Sequence, residues 1–139
     1  MNDSVFLDTN VLVYAFDRDD ERKQVVASKL VQASLSSGTG VTSTQVLQEF
    51  FVTVTKKVRV SMSVTDARRT VEDLARLRLV EIDLPLILGA IDRHHRCKIS
   101  FWDALIVGAA AAARCTSLFS EDLAGGSVLD GVQIINPFG

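Results

Sequence analysis

The stretch Val5-Phe6-Leu7-Asp8-Thr9-Asn10 decides the fold, because a short apolar run stops there at a carboxylate followed by two small hydrogen-bonding residues. A run of this length, rich in Val and Phe, suits a strand covered on both faces, and such strands belong mostly to parallel sheets flanked by helices. In an open α/β sheet the ligand crevice lies outside the carboxyl ends of the strands, which is where Asp8 would sit. The same Asp-Thr-Asn also suits a plain turn or a helix cap. The choice rests on whether other carboxylates reach the same edge.

Working outward, strand-like and helix-like patterns alternate along the chain. Val11 to Phe16 leads into the charged group Asp17 to Lys23, which suits the start of a helix with apolar positions Val26, Leu30 and Ala33. Ser36 to Gly40 ends it, and Val41-Thr42 is a very short strand. The next helix, capped by Ser43 or Thr44, has the stripe Leu47, Phe50, Phe51, Val54 and Val58, with Glu49 near its beginning. Ser63 to Asp66 reads as a capping box for a third helix with Ala67, Val71, Leu74 and Ala75 inward. Leu79 to Ile82 is a strand. A further helix from Leu84 puts Leu84, Ile87, Leu88 and Ile91 on one side and ends in Arg93-His94-His95-Arg96.

Phe101 to Ala113 is apolar all round apart from Asp103, the signature of a helix buried at the centre of a fold. A carboxylate in its first turn carries a desolvation cost unless it is paired, hydrogen-bonded or bound to a cation. A capping box, Ser100 to Asp103, accounts for it equally well, and the two readings are compatible. Thr116 to Phe119 is a strand that stops at Ser120-Glu121-Asp122, and Val132 to Ile135 is the last strand. The expectation is one domain over residues 1–139, a three-layer α/β/α sandwich with a mainly parallel sheet of about five strands.

Strand carboxyl ends and the amino ends of the following helices share an edge in parallel units, so Asp8, Glu49, Asp103 and Asp122 are expected to converge. Clustered carboxylates raise one another's pKa unless a cation neutralises them. Hard oxygen ligands of this kind suit Mg²⁺ or Mn²⁺, and no matching Cys or His set for zinc is present. Such a site activates water for in-line attack on a phosphate.

Composition bounds the rest. The chain has 139 residues, 47% hydrophobic and 23% charged, a globular balance able to bury its own core. Its two cysteines, Cys97 and Cys115, are too few for a disulfide framework, and a reduced cytoplasmic setting is expected. The amino terminus does not read as a signal peptide, and the longest apolar run falls short of the roughly 20 residues that span a bilayer. A formal net charge of -2 gives no general attraction to nucleic acid, so a bound cation or local basic groups must supply it.

Four pieces, Phe6-Leu7-Asp8-Thr9-Asn10, Gln48-Glu49-Phe50, Ser100-Phe101-Trp102-Asp103-Ala104 and Ser120-Glu121-Asp122-Leu123, together resemble the PIN-domain ribonucleases. The likeness is to the VapC-like toxins of toxin-antitoxin pairs in particular, and it runs over nearly the whole chain in the family's order. It implies a Mg²⁺- or Mn²⁺-dependent endoribonuclease acting on RNA, with Asp8, Glu49, Asp103 and Asp122 as metal-binding and catalytic acids. Asn10 and Ser100 would orient those carboxylates. A small antitoxin protein and a homodimer are also implied. Gly125-Gly126 follows the fourth acid where many members have an aromatic residue, which leaves Glu121 as an alternative to Asp122.

Arg18, Arg22 and Lys23 are the preferred phosphate contacts, being closest in sequence to Asp8. Lys56, Lys57 and Arg59, with Arg93, Arg96 and Lys98, fit a solvated helix end about as well as an RNA contact. His94-His95 reads as a polar helix end, and Phe50, Phe51, Phe101 and Trp102 as core. Two other functions use similar residues. One is a phosphatase with Asp8 as covalent nucleophile, although Asp8-Thr9-Asn10 lacks the usual second aspartate. The other is a binding module, either receiver-like or a catalytically silent PIN protein acting through a partner.

Overall fold

The computed structural model describes residues 3–123 and 125–139, without the Lys57 side chain. Among the described residues six strands form one sheet: β1 (Val5–Leu7), β2 (Gly40–Ser43), β3 (Arg78–Val80), β4 (Ser117–Phe119), β5 (Val128–Leu129) and β6 (Val132–Ile135). Their spatial order is β3-β2-β1-β4-β6-β5, parallel throughout except for the β5–β6 hairpin. The chain runs outward from β1 to β3, then returns to β4 on the other side of β1. Connection direction therefore reverses between β1 and β4, the switch point at which open α/β sheets open a crevice.

Six α-helices among the described residues flank the sheet: α1 (Thr9–Tyr14), α2 (Glu21–Ser37), α3 (Thr44–Val52), α4 (Val64–Leu74), α5 (Leu84–Cys97) and α6 (Phe101–Ala112). Right-handed crossovers put α1 to α4 on one face and α5 and α6 on the other, which gives the three-layer α/β/α sandwich. Phe6, Leu7, Val41, Leu118 and Ile134 are fully buried between the layers. α6 lies directly on the sheet, with every residue from Ala104 to Ala110 buried, as its uniform apolarity predicts.

Several details differ from the sequence expectation. The strand beyond the five expected, β5, is only two residues long, and its Val128 is largely exposed, so it carries no apolar pattern. On α2 the buried positions are Ala27, Val31 and Ser34, one residue on from the expected stripe; Val26 and Leu30 are half-buried and Ala33 is exposed. The cause lies in the approach to β2. A Cβ on Gly40 would stand 2.6 Å from Ser34 Cβ and from Leu77 Cδ2, so α2 meets β2 through its small residues.

On α3, the expected stripe holds at Leu47, Phe50 and Val54, but the helix widens into a π-helical turn over Thr53–Lys57. Ser63 caps α4 by accepting from the Asp66 N–H at 3.1 Å, whereas Ala75 is exposed rather than inward. On α5 the side carrying Leu84, Leu88 and Ile91 faces outward, and Ala90 is the fully buried residue. Arg93 explains the rotation. Its guanidinium donates to the Ala104 carbonyl and to Asp130, and passes so close to α6 that a Cβ on Gly108 would lie 2.8 Å from it.

Candidate active site

Strand pairing places the first two site residues together. Leu7 pairs with Phe119, and the Asp8 N–H donates to the Phe119 carbonyl at 3.1 Å, so Asp8 and Ser120 leave the sheet side by side. Asp8 caps α1, its Oδ1 accepting from the Thr9 N–H at 2.7 Å, while its Oδ2 accepts from Ser120 Oγ at 2.8 Å. The cap reading and the crevice reading of Asp8 are thus both realised in one rotamer. Asp8 is only 7% exposed. Burial pushes its carboxyl up from 3.8 to about 6; the Ser120 and Thr9 hydrogen bonds oppose this, and the nearby Glu49 and Asp122 charges add to it.

A pocket of about 690 Å³ opens over this edge, lined by Thr9, Asn10, Tyr14, Glu49, Glu121 and Asp122 among others. Both oxygens of Glu49 are held: Thr9 Oγ1 donates to Oε1 at 2.6 Å and Gln45 Nε2 to Oε2 at 3.2 Å. Asn10 ties the opposite wall. Its Nδ2 donates to Asp122 Oδ2 at 3.1 Å and to Ser120 Oγ at 3.3 Å, and its Oδ1 accepts from the Glu121 N–H at 3.0 Å. Asp122 is held near enough to Asp8 for its charge to act on that carboxyl, whereas Glu121 turns to Tyr14 and Lys23. Asp17 also lines the pocket.

Of the four acids, Glu49 and Asp122 line the pocket, while Asp8 lies buried beneath its edge. Asp103 lies in the first turn of α6 and does not line the pocket, and among the described residues its carboxylate has no hydrogen-bond or ion-pair partner. Ser100 acts on it through the backbone, its Oγ accepting from the Asp103 N–H at 3.0 Å, rather than through a carboxylate oxygen. The link to the pocket is Gln45, whose Nε2 also approaches the Trp102 carbonyl at 3.4 Å. Among the described residues no three His, Cys, Asp or Glu side chains stand close enough together to hold one metal ion.

The basic candidates also separate. Arg22 donates to the Phe138 carbonyl at 3.2 Å, and Lys23 is drawn into the Glu121 and Tyr14 contacts, so both are engaged within the chain. Arg18 is exposed and, among the described residues, unpaired. Arg59 reaches Asp19 at 3.1 Å, and Arg96 joins Arg93 on Asp130, while the Lys57 side chain lies outside the described residues.

Sequence reading missed Thr9, Tyr14, Gln45 and Ser120. Ser120 was legible, because it occupies in β4 the place that Asp8 occupies in β1, directly after the last apolar residue. Gln45 was also within reach at i-4 from Glu49 on the same helix. Tyr14 carried no such signal, since its role depends on where α2 and the β4 turn meet.

A doubly wound α/β sheet with a buried carboxylate and an acidic pocket at its switch point defines the class. Residues 5–124 match the PIN domain family, and the chain belongs to it. No curated protein sequence matches at a significant level. Among solved structures, a toxin-antitoxin complex from Klebsiella pneumoniae is similar with TM-score 0.69 and 20% identity, over 96% of this chain and 98% of that one. DNA-bound VapBC from Salmonella typhimurium gives 0.65 at 18% identity, over 94% and 96%. Mycobacterium tuberculosis VapC20, described as a sarcin-ricin loop cleaving toxin, gives 0.62 at 19%, over 86% and 92%. At these identities the likeness is one of fold.

Proposed function

We propose that this chain is a divalent-metal-dependent endoribonuclease and the toxin of a toxin-antitoxin pair, with Asp8, Glu49, Asp103 and Asp122 as its working acids. The observation that carries the reading is Asp8: a buried carboxylate at the switch point, raised to about 6 by burial and by the Glu49 and Asp122 charges. Such a group is unfavourable in itself and suits a cation that relieves it. The donor set is entirely hard oxygen, which fits Mg²⁺ or Mn²⁺. The buried Gln45 Oε1, which has no hydrogen-bond partner among the described residues, adds a further oxygen beside Glu49.

A divalent cation, when bound by these acids, supplies Lewis acidity and positive charge for attack of water on a phosphodiester. The chain's own residues orient the acids. Thr9 and Gln45 fix Glu49, Asn10 fixes Asp122, and Ser120 fixes Asp8. The fold likeness to proteins of toxin-antitoxin complexes supports an antitoxin partner for this chain as well, and a homodimer is part of the same proposal. The phosphatase alternative is weakened because Asn10 stands two residues after Asp8, where such enzymes carry a second aspartate, and its amide is spent on Ser120, Asp122 and the Glu121 N–H.

The test is cleavage of structured and unstructured RNAs by purified protein with Mg²⁺ or Mn²⁺. Cleavage should stop with EDTA, leave 5′-phosphate ends, and disappear in Asp8→Asn and Asp103→Asn while the circular dichroism spectrum is unchanged. Undiminished cleavage by both variants would remove the reading, and metal binding without turnover would favour a silent PIN module.

A further inference from the structure

We infer that Lys23 is a positioning residue which, together with Tyr14, holds Glu121 aside so that Asp122 alone of the two adjacent acids faces Asp8 and Glu49. The inference rests on the nuclease reading and assigns a task that the family's acidic motif does not itself contain.

Three observations carry it. First, Glu121 is neutralised in place: Tyr14 O–H donates to Oε1 at 2.9 Å and the Lys23 ammonium donates to Oε2, whereas the hydrogen-bond donors to Asp8 and Glu49 are uncharged. Asp122 accepts only from the uncharged Asn10 Nδ2 among the described residues, so its charge is left to act in the pocket. Second, Lys23 is seated rather than free. Its backbone N–H is bound by the Asp20 cap at 3.1 Å, and its ammonium lies 4.7 Å from the Tyr14 ring centroid and 5.6 Å from that of Phe138. Tyr14 and Phe138 meet edge to face at 5.0 Å, so the seat is itself packed.

Third, the turn is pinned at both ends around this pair. The Ser120 N–H donates to the Ile135 carbonyl at 3.0 Å, and the Glu121 N–H to Asn10 Oδ1 at the same distance. With Ser120 anchored to β6, the Glu121 backbone anchored to Asn10 of α1 and the Glu121 side chain anchored to Lys23 of α2, the turn that carries Asp122 is held from three elements. Side-chain exposures of 22% for Lys23 and 24% for Glu121 make this a partly buried pair, less open to water than the Arg59–Asp19 pair. Without Lys23, Glu121 becomes an uncompensated carboxylate on the pocket wall. It would repel both Asp122 and an incoming phosphate.

The test is a double-mutant cycle of Lys23→Met and Glu121→Gln, with Lys23→Arg as the conservative variant, read in two ways. In metal-free protein, Lys23→Met should move the amide NMR signals of Asn10, Ser120 and Asp122, and the double variant should return them towards wild type. In RNA cleavage, kcat should fall about tenfold with KM within about twofold, and both Lys23→Arg and the double variant should recover most of the loss. Unmoved amide signals overturn the inference. So does a higher KM at constant kcat for Lys23→Met both alone and combined with Glu121→Gln, which would make Lys23 an RNA contact. A wild type that cleaves nothing removes the nuclease reading, and the amide signals then still decide whether Lys23 positions Asp122.

Discussion

Ser120 Oγ donates a 2.8 Å hydrogen bond to Oδ2 of Asp8, joining residues 112 positions apart at the ends of adjacent parallel strands. The same oxygen accepts from Asn10 Nδ2 and faces the Asp122 and Leu123 N–H groups at 3.2 and 3.4 Å. One fully buried hydroxyl therefore organises two of the proposed acids. Ser120→Ala removes a donor to a buried carboxylate and an acceptor for several donors. A loss of about 1–3 kcal/mol in denaturant unfolding is expected, with lower activity. Ser120→Thr, which keeps the hydroxyl, should retain more of both.

Asp8 should make the metal-free protein less stable at neutral pH than near pH 4. Its folded pKa, about 6, lies above the ordinary 3.8. Below 3.8 the group is protonated in both states. As pH rises towards 6 the unfolded chain releases the proton first, so folding stability falls, then levels off above about 6. The full penalty is on the order of 3 kcal/mol. Asp8→Asn should therefore raise the melting temperature at about pH 7.5 and give little gain near pH 4, while Mn²⁺ stabilises the wild type and not the variant. Equal melting curves for both proteins at neutral pH without metal would contradict this.

Asp130 shows the opposite sign. The Arg93 and then the Arg96 hydrogen bonds hold its carboxyl below the usual range. That contribution is present above the ordinary carboxylate pKa and is lost as pH falls through the lowered one. Asp130 has φ 50° and Gly131 φ 81°, a turn that Asn also accepts. Asp130→Asn thus isolates the charge. It should cost about 1–2 kcal/mol at neutral pH, and the difference from wild type should shrink in acid unfolding curves.

That same turn shows where the sequence was under-read. Asp130-Gly131 between Val128-Leu129 and Val132-Gln133-Ile134-Ile135 is a two-residue hairpin signal, and it marks β5 although β5 has no apolar pattern of its own. The strands ending at Leu7 and Phe119 were legible because burial on both faces leaves a continuous apolar run that stops at a polar residue. The outward side of α5 was not predictable from periodicity, since Leu84, Leu88 and Ile91 have the spacing of a buried stripe. What decides that orientation is Arg93, a charged residue whose inward path depends on Gly108 and Asp130, far along the chain. Of the candidate site, the gathering of Asp8, Asn10, Glu49 and Asp122 around one edge was legible from the order of strands and helices, whereas Asp103, expected with them, does not line the pocket. The direction in which each carboxylate turns depends on Gln45, Tyr14 and Lys23, whose partners come from other elements.

Asp103 and Ser100 can be separated by experiment because the structure gives them different work. Ser100 Oγ accepts the Asp103 N–H as the N-cap of α6, whereas the Asp103 carboxylate has no protein partner among the described residues. Ser100→Ala should cost about 1 kcal/mol of stability through the lost cap, and cleavage measured well below the melting temperature should fall only a fewfold. Asp103→Asn keeps the cap and removes the charge, so it should leave unfolding nearly unchanged while abolishing cleavage and weakening Mn²⁺ binding in calorimetry. Gln45→Leu tests the bridge between Glu49 and α6. It removes the contact to Glu49 and to the Trp102 carbonyl, so Mn²⁺ affinity should fall although no charge has been altered. If Gln45→Leu binds Mn²⁺ as well as the wild type, the first turn of α6 and Glu49 do not act through that bridge, and Asp103 must be brought to the pocket in some other way.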